Sequence, residues 1–112
     1  MLAKRFKLPI GEFPKRSQLV FRGQLLTIKK APNQLEHPRV GVLVSKRINP
    51  KASTRNSLKR TIYDTLKEKL PVLPTALDLL VVVEAPIIEI DLKTKQMLSQ
   101  DLDRGLGTLS TK

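Results

Sequence analysis

Two short aliphatic runs do most to limit what this chain can become. Residues 39–46 read RVGVLVSK and residues 77–84 read LDLLVVVE, each nearly unbroken in Val and Leu. Neither alternates in the way that leaves one face to water, so each is expected as a strand buried on both faces. Between them, Leu58, Ile62, Leu66 and Leu70 recur at i+4 spacing over residues 55–70, the single apolar stripe of a helix packed on a core. Ser53 or Thr54 is placed to cap its start. Pro71 ends it, and Pro74 keeps the chain from re-entering a helix. Periodicity does not decide whether the two strands are parallel neighbours.

The flanks add to this frame. Residues 18–30 are rich in Leu, Val, Phe, Thr and Ile and break at Arg22-Gly23, which predicts two strand pieces, the second over 25–29. Residues 31–38, APNQLEHP, read as a loop. Pro9, Gly11 and Pro14 leave room only for a short helix around 12–17. A last helix is expected over 91–104, with Leu92, Met97, Leu98 and Leu102 near helical spacing. Asp91 is favourable at its N-terminus, and Gly105 and Gly107 are expected to stop it. The elements give an α/β (α+β) two-layer sandwich in the order α-βββ-α-β-α, a sheet covered by helices. A length of 112 residues fits one domain over 1–112, with 1–8 and 106–112 expected to be flexible.

Charge separates the chain into halves. Its formal net charge is +11, yet residues 1–60 hold 15 Lys/Arg against 2 acids, while residues 61–112 hold 6 against 8. Such asymmetry marks a surface for nucleic acid or an anionic membrane. No basic amphipathic helix or lipid anchor is visible, so nucleic acid leads. There is no cysteine, which excludes disulfides, thiol catalysis and Cys-based zinc sites. No stretch reaches the roughly 18 apolar residues of a membrane span, and MLAKRFKLPIGEF lacks the apolar core of a signal peptide. A cytoplasmic protein is expected.

The sharpest local feature is Lys46-Arg47, then a short polar spacer, then Arg55-Asn56-Ser57-Leu58-Lys59-Arg60. On a helix, Arg55, Lys59 and Tyr63 share a face, with Asn56 and Arg60 on the neighbouring stripe. The apolar stripe points away from them, into the core. No acid lies between Glu36 and Asp64, so these cations have no i+4 partners, and they sit at the helix start, where the dipole disfavours them. A solvated helix face is the ordinary meaning of a charge run. Placement against the dipole instead favours a phosphate-binding surface, to which Arg brings a forked donor and Lys a mobile point charge.

These residues resemble the signature of the bacterial ribonuclease P protein. In that family a strand of the form R-x-G-x-x-V-S-K-K leads through a crossover into a helix opening R-N-R-x-K-R. Here the counterparts are RVGVLVSKR and Arg55, Asn56, Lys59 and Arg60, with Ser57 in place of the middle arginine. ALDLLVVVEAP is similar to the family's D-hydrophobic-run-A-x-x-P strand, and the resemblance runs from about residue 8 to 106. It implies a four-stranded central sheet with a left-handed βαβ crossover between two parallel central strands, the fold of the second domain of a ribosomal small-subunit protein. It also implies that Lys46, Arg47, Arg55, Asn56, Lys59, Arg60 and Tyr63 contact the catalytic RNA and the nearby precursor tRNA. A cleft for the 5′ leader would lie on the sheet face beside the first helix, with Phe13, Leu25 and Thr27 in it. The departures are a shortened first helix, Thr27 where an aromatic is common, and Tyr63 where another Arg is usual. Phe13 also reads as a core plug.

The resemblance further implies a ribozyme in which the RNA supplies catalysis with Mg²⁺. The protein would be a subunit of the tRNA 5′-processing holoenzyme, with no bound cofactor and monomeric when free. His37 is the only histidine, and the acids Glu84, Glu89 and Asp91 meet at most around one turn, so no catalytic or metal centre is expected in the protein itself. A structural RNA-binding protein of ribosomal type explains charge and size equally well. A protein-only nuclease would need convergent acids within 37–63, which are missing, and a DNA-binding module would need a helix-turn-helix arrangement.

Overall fold

The computed structural model describes residues 6–8, 17–33, 35–69, 77–87 and 89–107. Four strands and two helices follow in order: β1 (Gln18–Arg22), β2 (Leu26–Pro32), β3 (Arg39–Leu43), α1 (Ala52–Lys69), β4 (Leu77–Val83) and α2 (Leu92–Gly107). The short helix expected around 12–17, together with Phe13, lies outside the described residues.

The strands form one sheet in the order β1-β2-β4-β3. β1 and β2 are an antiparallel hairpin, and β2 pairs antiparallel with β4. The two aliphatic runs that frame α1 are parallel neighbours, with Val40 opposite Leu79 and Val42 opposite Val81. β4 is central, as expected, but β3 is the outer strand. Its free edge is covered: Lys7 forms a parallel bridge with Val40, and the Leu8 N–H donates to the Val40 carbonyl at 2.8 Å. Leu8 is buried, so this part of the chain, expected among the flexible ends, lies against the sheet. Contacts of this kind blunt the exposed edge of a sheet.

Strand alternation sorts the side chains onto two faces. Leu26, Ile28, Val40, Val42, Leu79, Val81 and Val83 point to one face, where they form a single core with Leu58, Ile62 and Leu66 of α1 and Leu98, Leu102 and Leu106 of α2. All six helix leucines and isoleucines are essentially inaccessible, and burying each contributes about 1.5–3 kcal/mol over leaving it exposed. Both helices therefore cover the same face. The opposite face carries Leu19, Arg22, Thr27, Lys29, Leu43 and Val82. A register shift between Leu19 and Phe21 turns Phe21 toward α2.

Two helix boundaries differ from expectation, the start of α1 and the end of α2. α1 starts three residues early because Asn49 folds into an Asx turn, its Oδ1 accepting the Lys51 N–H at 2.9 Å. The Lys51 carbonyl then accepts the first helical bond, from Arg55, so Ser53 and Thr54 lie inside the first turn and do not cap it. Asp91 is the N-cap of α2, its Oδ1 accepting the Thr94 N–H at 2.8 Å. Gly105 does not stop that helix. It is a contact point with the sheet, where a Cβ would fall 2.4 Å from Ile28 Cδ1 and 3.1 Å from Phe21 Cδ2. Leu92, expected in the apolar stripe, points outward.

Two buried carboxylates hold the sheet's ends. Asp78 of β4 accepts both Arg39 Nε at 2.9 Å and Nη2 at 2.8 Å, a fork-to-fork pair with its parallel neighbour, and Asn33 Nδ2 at 2.7 Å. Asp101 of α2 reaches across to the β1–β2 turn and accepts the backbone N–H groups of Gln24, Leu25 and Leu26 at 3.2, 2.7 and 3.2 Å. Gly23 makes that approach possible, since a Cβ there would lie 2.5 Å from Asp101 Cγ. Among the described residues, no helix is long and apolar enough to cross a membrane.

Candidate nucleic-acid interface

The crossover from β3 into α1 builds the basic surface. Ser45 to Ile48 form a tight turn closed by the Ile48 N–H to the Ser45 carbonyl at 3.1 Å, with Lys46 and Arg47 at its two corners. Corner side chains point outward, and both are exposed. The turn is fastened beneath: the Ile87 N–H donates to the Ile48 carbonyl at 3.1 Å, and the buried Asn49 donates through Nδ2 to the Ile87 carbonyl at 2.9 Å. Two exposed cations thus stand on a rigid platform.

Arg55 belongs to that platform more than to the surface. Its Nη1 donates to the carbonyls of Asn49 and Pro50, both at 2.9 Å. The guanidinium folds back over the helix start and satisfies loop carbonyls, which separates it from Lys59 and Tyr63, with which helical spacing had grouped it. Asn56, Lys59, Arg60 and Tyr63 do come together, lining a shallow groove of about 190 Å³ with Lys7 and Asp64. Asn56, Lys59 and Arg60 have no hydrogen-bond or ion-pair partner among the described residues. The first turn of α1 contains no acid, so its exposed N–H groups add to the positive potential.

Tyr63 is half structural. Its hydroxyl accepts the Val42 N–H at 3.3 Å and so caps the outer edge of β3, while its ring lies 5.5 Å from the Lys7 ammonium. Burial pushes the phenol above its ordinary pKa, opposed in part by that backbone hydrogen bond. Ser57, at the position of the family's middle arginine, does not line this groove. It joins Ser53, Thr54 and Thr61 in a wider, open hollow of about 430 Å³ facing Glu89, Ile90 and Lys95. The missing arginine therefore removes charge from the opposite flank of α1.

The structure does not bring the other expected residues onto one accessible surface. Thr27 sits on the sheet face away from the helices but is fully buried, its hydroxyl without a hydrogen-bond partner among the described residues. Leu25 lies in the hairpin turn and packs toward α2, beside Pro86, Ile87 and Met97. Among the described residues, no group of three or more His, Asp or Glu is placed to hold a metal ion.

Sequence reasoning missed Lys7, Asn49 and Asp101. Asn49 before Pro50 is a readable Asx-turn signal. Asp101 falls between Leu98 and Leu102 on the apolar side of α2, so an acid within an apolar stripe was the clue. Lys7 carried no local signal.

Known proteins share this fold. The family model for ribonuclease P matches residues 13–110. A ribonuclease P protein component from Azoarcus sp. is 35% identical over 88 residues, which span 79% of this chain and 70% of that protein. Another, from Idiomarina loihiensis, is 38% identical over 66 residues, 59% of this chain and 52% of the relative, so that match spans about half the relative's length. The solved structure of the Thermotoga maritima ribonuclease P protein shares the fold, with a TM-score of 0.73 at 18% identity, covering 95% of this chain and 96% of that one. The chain belongs to the ribonuclease P protein family, the protein components of the bacterial holoenzyme that processes tRNA 5′ ends.

Proposed function

We propose that the chain binds the catalytic RNA of ribonuclease P and the 5′ leader of precursor tRNA, and that it brings no catalytic group of its own. One observation carries the reading: Lys46, Arg47, Asn56, Lys59 and Arg60 crowd the β3–α1 crossover without an internal partner among the described residues. Uncompensated cations held on a rigid turn and helix suit phosphates, whose binding releases condensed counterions. The sheet face away from the helices supports the leader reading. Arg22 and Lys29 flank the partly exposed Leu19, Leu43 and Val82, a combination that offers phosphate contacts beside apolar surface for bases. Thr27, at the middle of that face, is buried and adds no exposed contact of its own. The protein acts in the cytoplasm as a monomer on its RNA, and Mg²⁺ is held by the RNA. Neutralising phosphates lowers the Mg²⁺ that the RNA requires.

The test is reconstitution: cleavage of precursor tRNA by a bacterial ribonuclease P RNA at low Mg²⁺, with and without this protein. Stimulated cleavage at the mature 5′ end is expected, with a larger gain for leader-bearing precursor than for substrates with a one-nucleotide leader. Salt-sensitive RNA binding without stimulation, also with RNA from a close relative's holoenzyme, would leave only a structural RNA-binding role.

A further inference from the structure

The groove on α1 contains a cation that does not come from the helix. Lys7 reaches it from the segment before β1, across the outer edge of the sheet. Its backbone is pinned there by the bridge to Val40 and by the adjoining Leu8–Val40 hydrogen bond. Its ammonium is held over the Tyr63 ring at 5.5 Å, within reach of a cation–π attraction. Tyr63 is in turn fixed through its hydroxyl to the Val42 N–H. The result is that Lys7, Lys59 and Arg60 converge on one concavity with Asn56, and Asp64 is the only acid lining it among the described residues. None of the three cations forms an ion pair among the described residues.

Three like charges in a groove repel one another. Lysines and arginines on flexible stems would spread into water if repulsion were all that acted on them. Here the backbone of Lys7 is fixed, and the tyrosine beneath it is itself anchored, so the ammonium stays near the groove. Preorganised positive charge of this kind is repaid when an anion enters. Asn56 adds an amide donor that can share the same oxygens.

We propose that Lys7 is an RNA-contacting residue that completes a phosphodiester-binding groove with Asn56, Lys59 and Arg60, and that Tyr63 positions it. The inference rests on the RNA-binding reading above and extends it to a segment that precedes the sheet. The bound group is a backbone phosphate of RNA, with no base read. Contact at this point ties the N-terminal segment and α1 to the same stretch of RNA.

The experiment is the salt dependence of binding between the full chain and a bacterial ribonuclease P RNA, measured for the unaltered protein and for Lys7→Gln, Lys7→Arg, Lys59→Gln, Lys93→Gln and Tyr63→Phe. Lys7→Gln should weaken binding about tenfold at low salt and reduce the log–log slope by about 0.7–0.9, the value of one phosphate contact. Lys7→Arg should restore both. Tyr63→Phe keeps the ring but frees it from the Val42 N–H, so it should weaken binding at low salt about twofold to threefold with the slope kept. Unchanged affinity would overturn the positioning role of Tyr63. Lys93→Gln, a cation on the outer face of α2, should change neither quantity. A slope unchanged by Lys7→Gln but reduced by Lys59→Gln would overturn the role of Lys7 while leaving the α1 surface intact. Slopes unchanged by both would overturn the RNA-binding reading of the groove as a whole. Thermal unfolding of each variant separates these outcomes from misfolding, since a merely structural role would shift the melt and leave the slope alone.

Discussion

The two helices lie side by side on the same face of the sheet and bury comparable leucine stripes, yet they use their polar residues in opposite ways. On α2 the acids have structural work. Asp91 caps the helix, Asp101 is buried against three backbone N–H groups of the β1–β2 turn, and Asp103 pairs with Lys69 across the helix–helix contact. On α1, Asn56, Lys59 and Arg60 have no such partners among the described residues, and the first turn lacks an acid to offset them. A polar side chain that is already satisfied inside the protein is accounted for by stability. One that stays unsatisfied in an unfavourable field needs an external partner. Arg55 shows that residue type alone does not make this distinction: it stands among the α1 cations but serves the loop carbonyls of Asn49 and Pro50.

The contrast predicts separable effects, and the largest belongs to α2. Asp101→Ala should cost about 3 kcal/mol, because it removes a buried carboxylate and the acceptor of three backbone donors, of which that of Leu26 is buried. Urea unfolding should show a lower midpoint, while the salt slope of RNA binding, measured where the variant is folded, should not move. A variant as stable as the parent would mean that water replaces the carboxylate, and the division between the helices would fail. Replacing Lys46, Arg47, Lys59 and Arg60 together with Gln should do the reverse. Stability should stay within about 0.5 kcal/mol, while RNA affinity at low salt falls at least a hundredfold and the log–log slope drops by about three. Loss of folding in that variant would show that these side chains are structural after all.

The smallest effect concerns the residue shared between the two roles. The folded state holds the Tyr63 phenol above its ordinary pKa through burial, so folding favours the neutral form. Its contribution is fully present below the unfolded value of about 10 and is lost as pH rises through the folded value. Tyr63 is the only tyrosine and there is no Trp, so phenolate absorbance reports it alone. The titration should lie above that of the urea-unfolded chain, and Tyr63→Phe should flatten the alkaline fall in stability. Coincident titrations would place the ring in water and detach it from the β3 edge.

Much of this architecture was legible before the structure. The i+4 Leu and Ile residues of α1 report the helical period of 3.6, and the two aliphatic runs report strands buried on both faces. The basic crossover was legible for the same reason, since charge is carried residue by residue. Less readable were features that join distant parts. The outer position of β3 depends on what pairs with it from elsewhere. Gly105 resembles a helix stop until Phe21 and Ile28 are seen against it. The position of Asp101 within the apolar stripe is visible in the sequence, but not what it bonds, because its three donors lie 75–77 residues away. Arg55 and Lys59 are alike in sequence and diverge only because one can reach carbonyls that the Asx turn presents.

That long reach from Asp101 also bears on how the protein is made. The hairpin is among the first elements to leave the ribosome, and the carboxylate that closes its turn is among the last. Throughout most of synthesis the backbone donors at Gln24, Leu25 and Leu26 have only water to bond. The turn has its own backbone bond, the Gly23 N–H to the Leu26 carbonyl at 2.7 Å, and gains the carboxylate only when α2 has docked. Contacts of such sequence separation form slowly, so the nascent basic half waits, incompletely closed and strongly cationic, beside a ribosome made largely of RNA. The carboxylate of Asp101 therefore makes the closing of this turn a contact of long sequence separation, available only once α2 has been made.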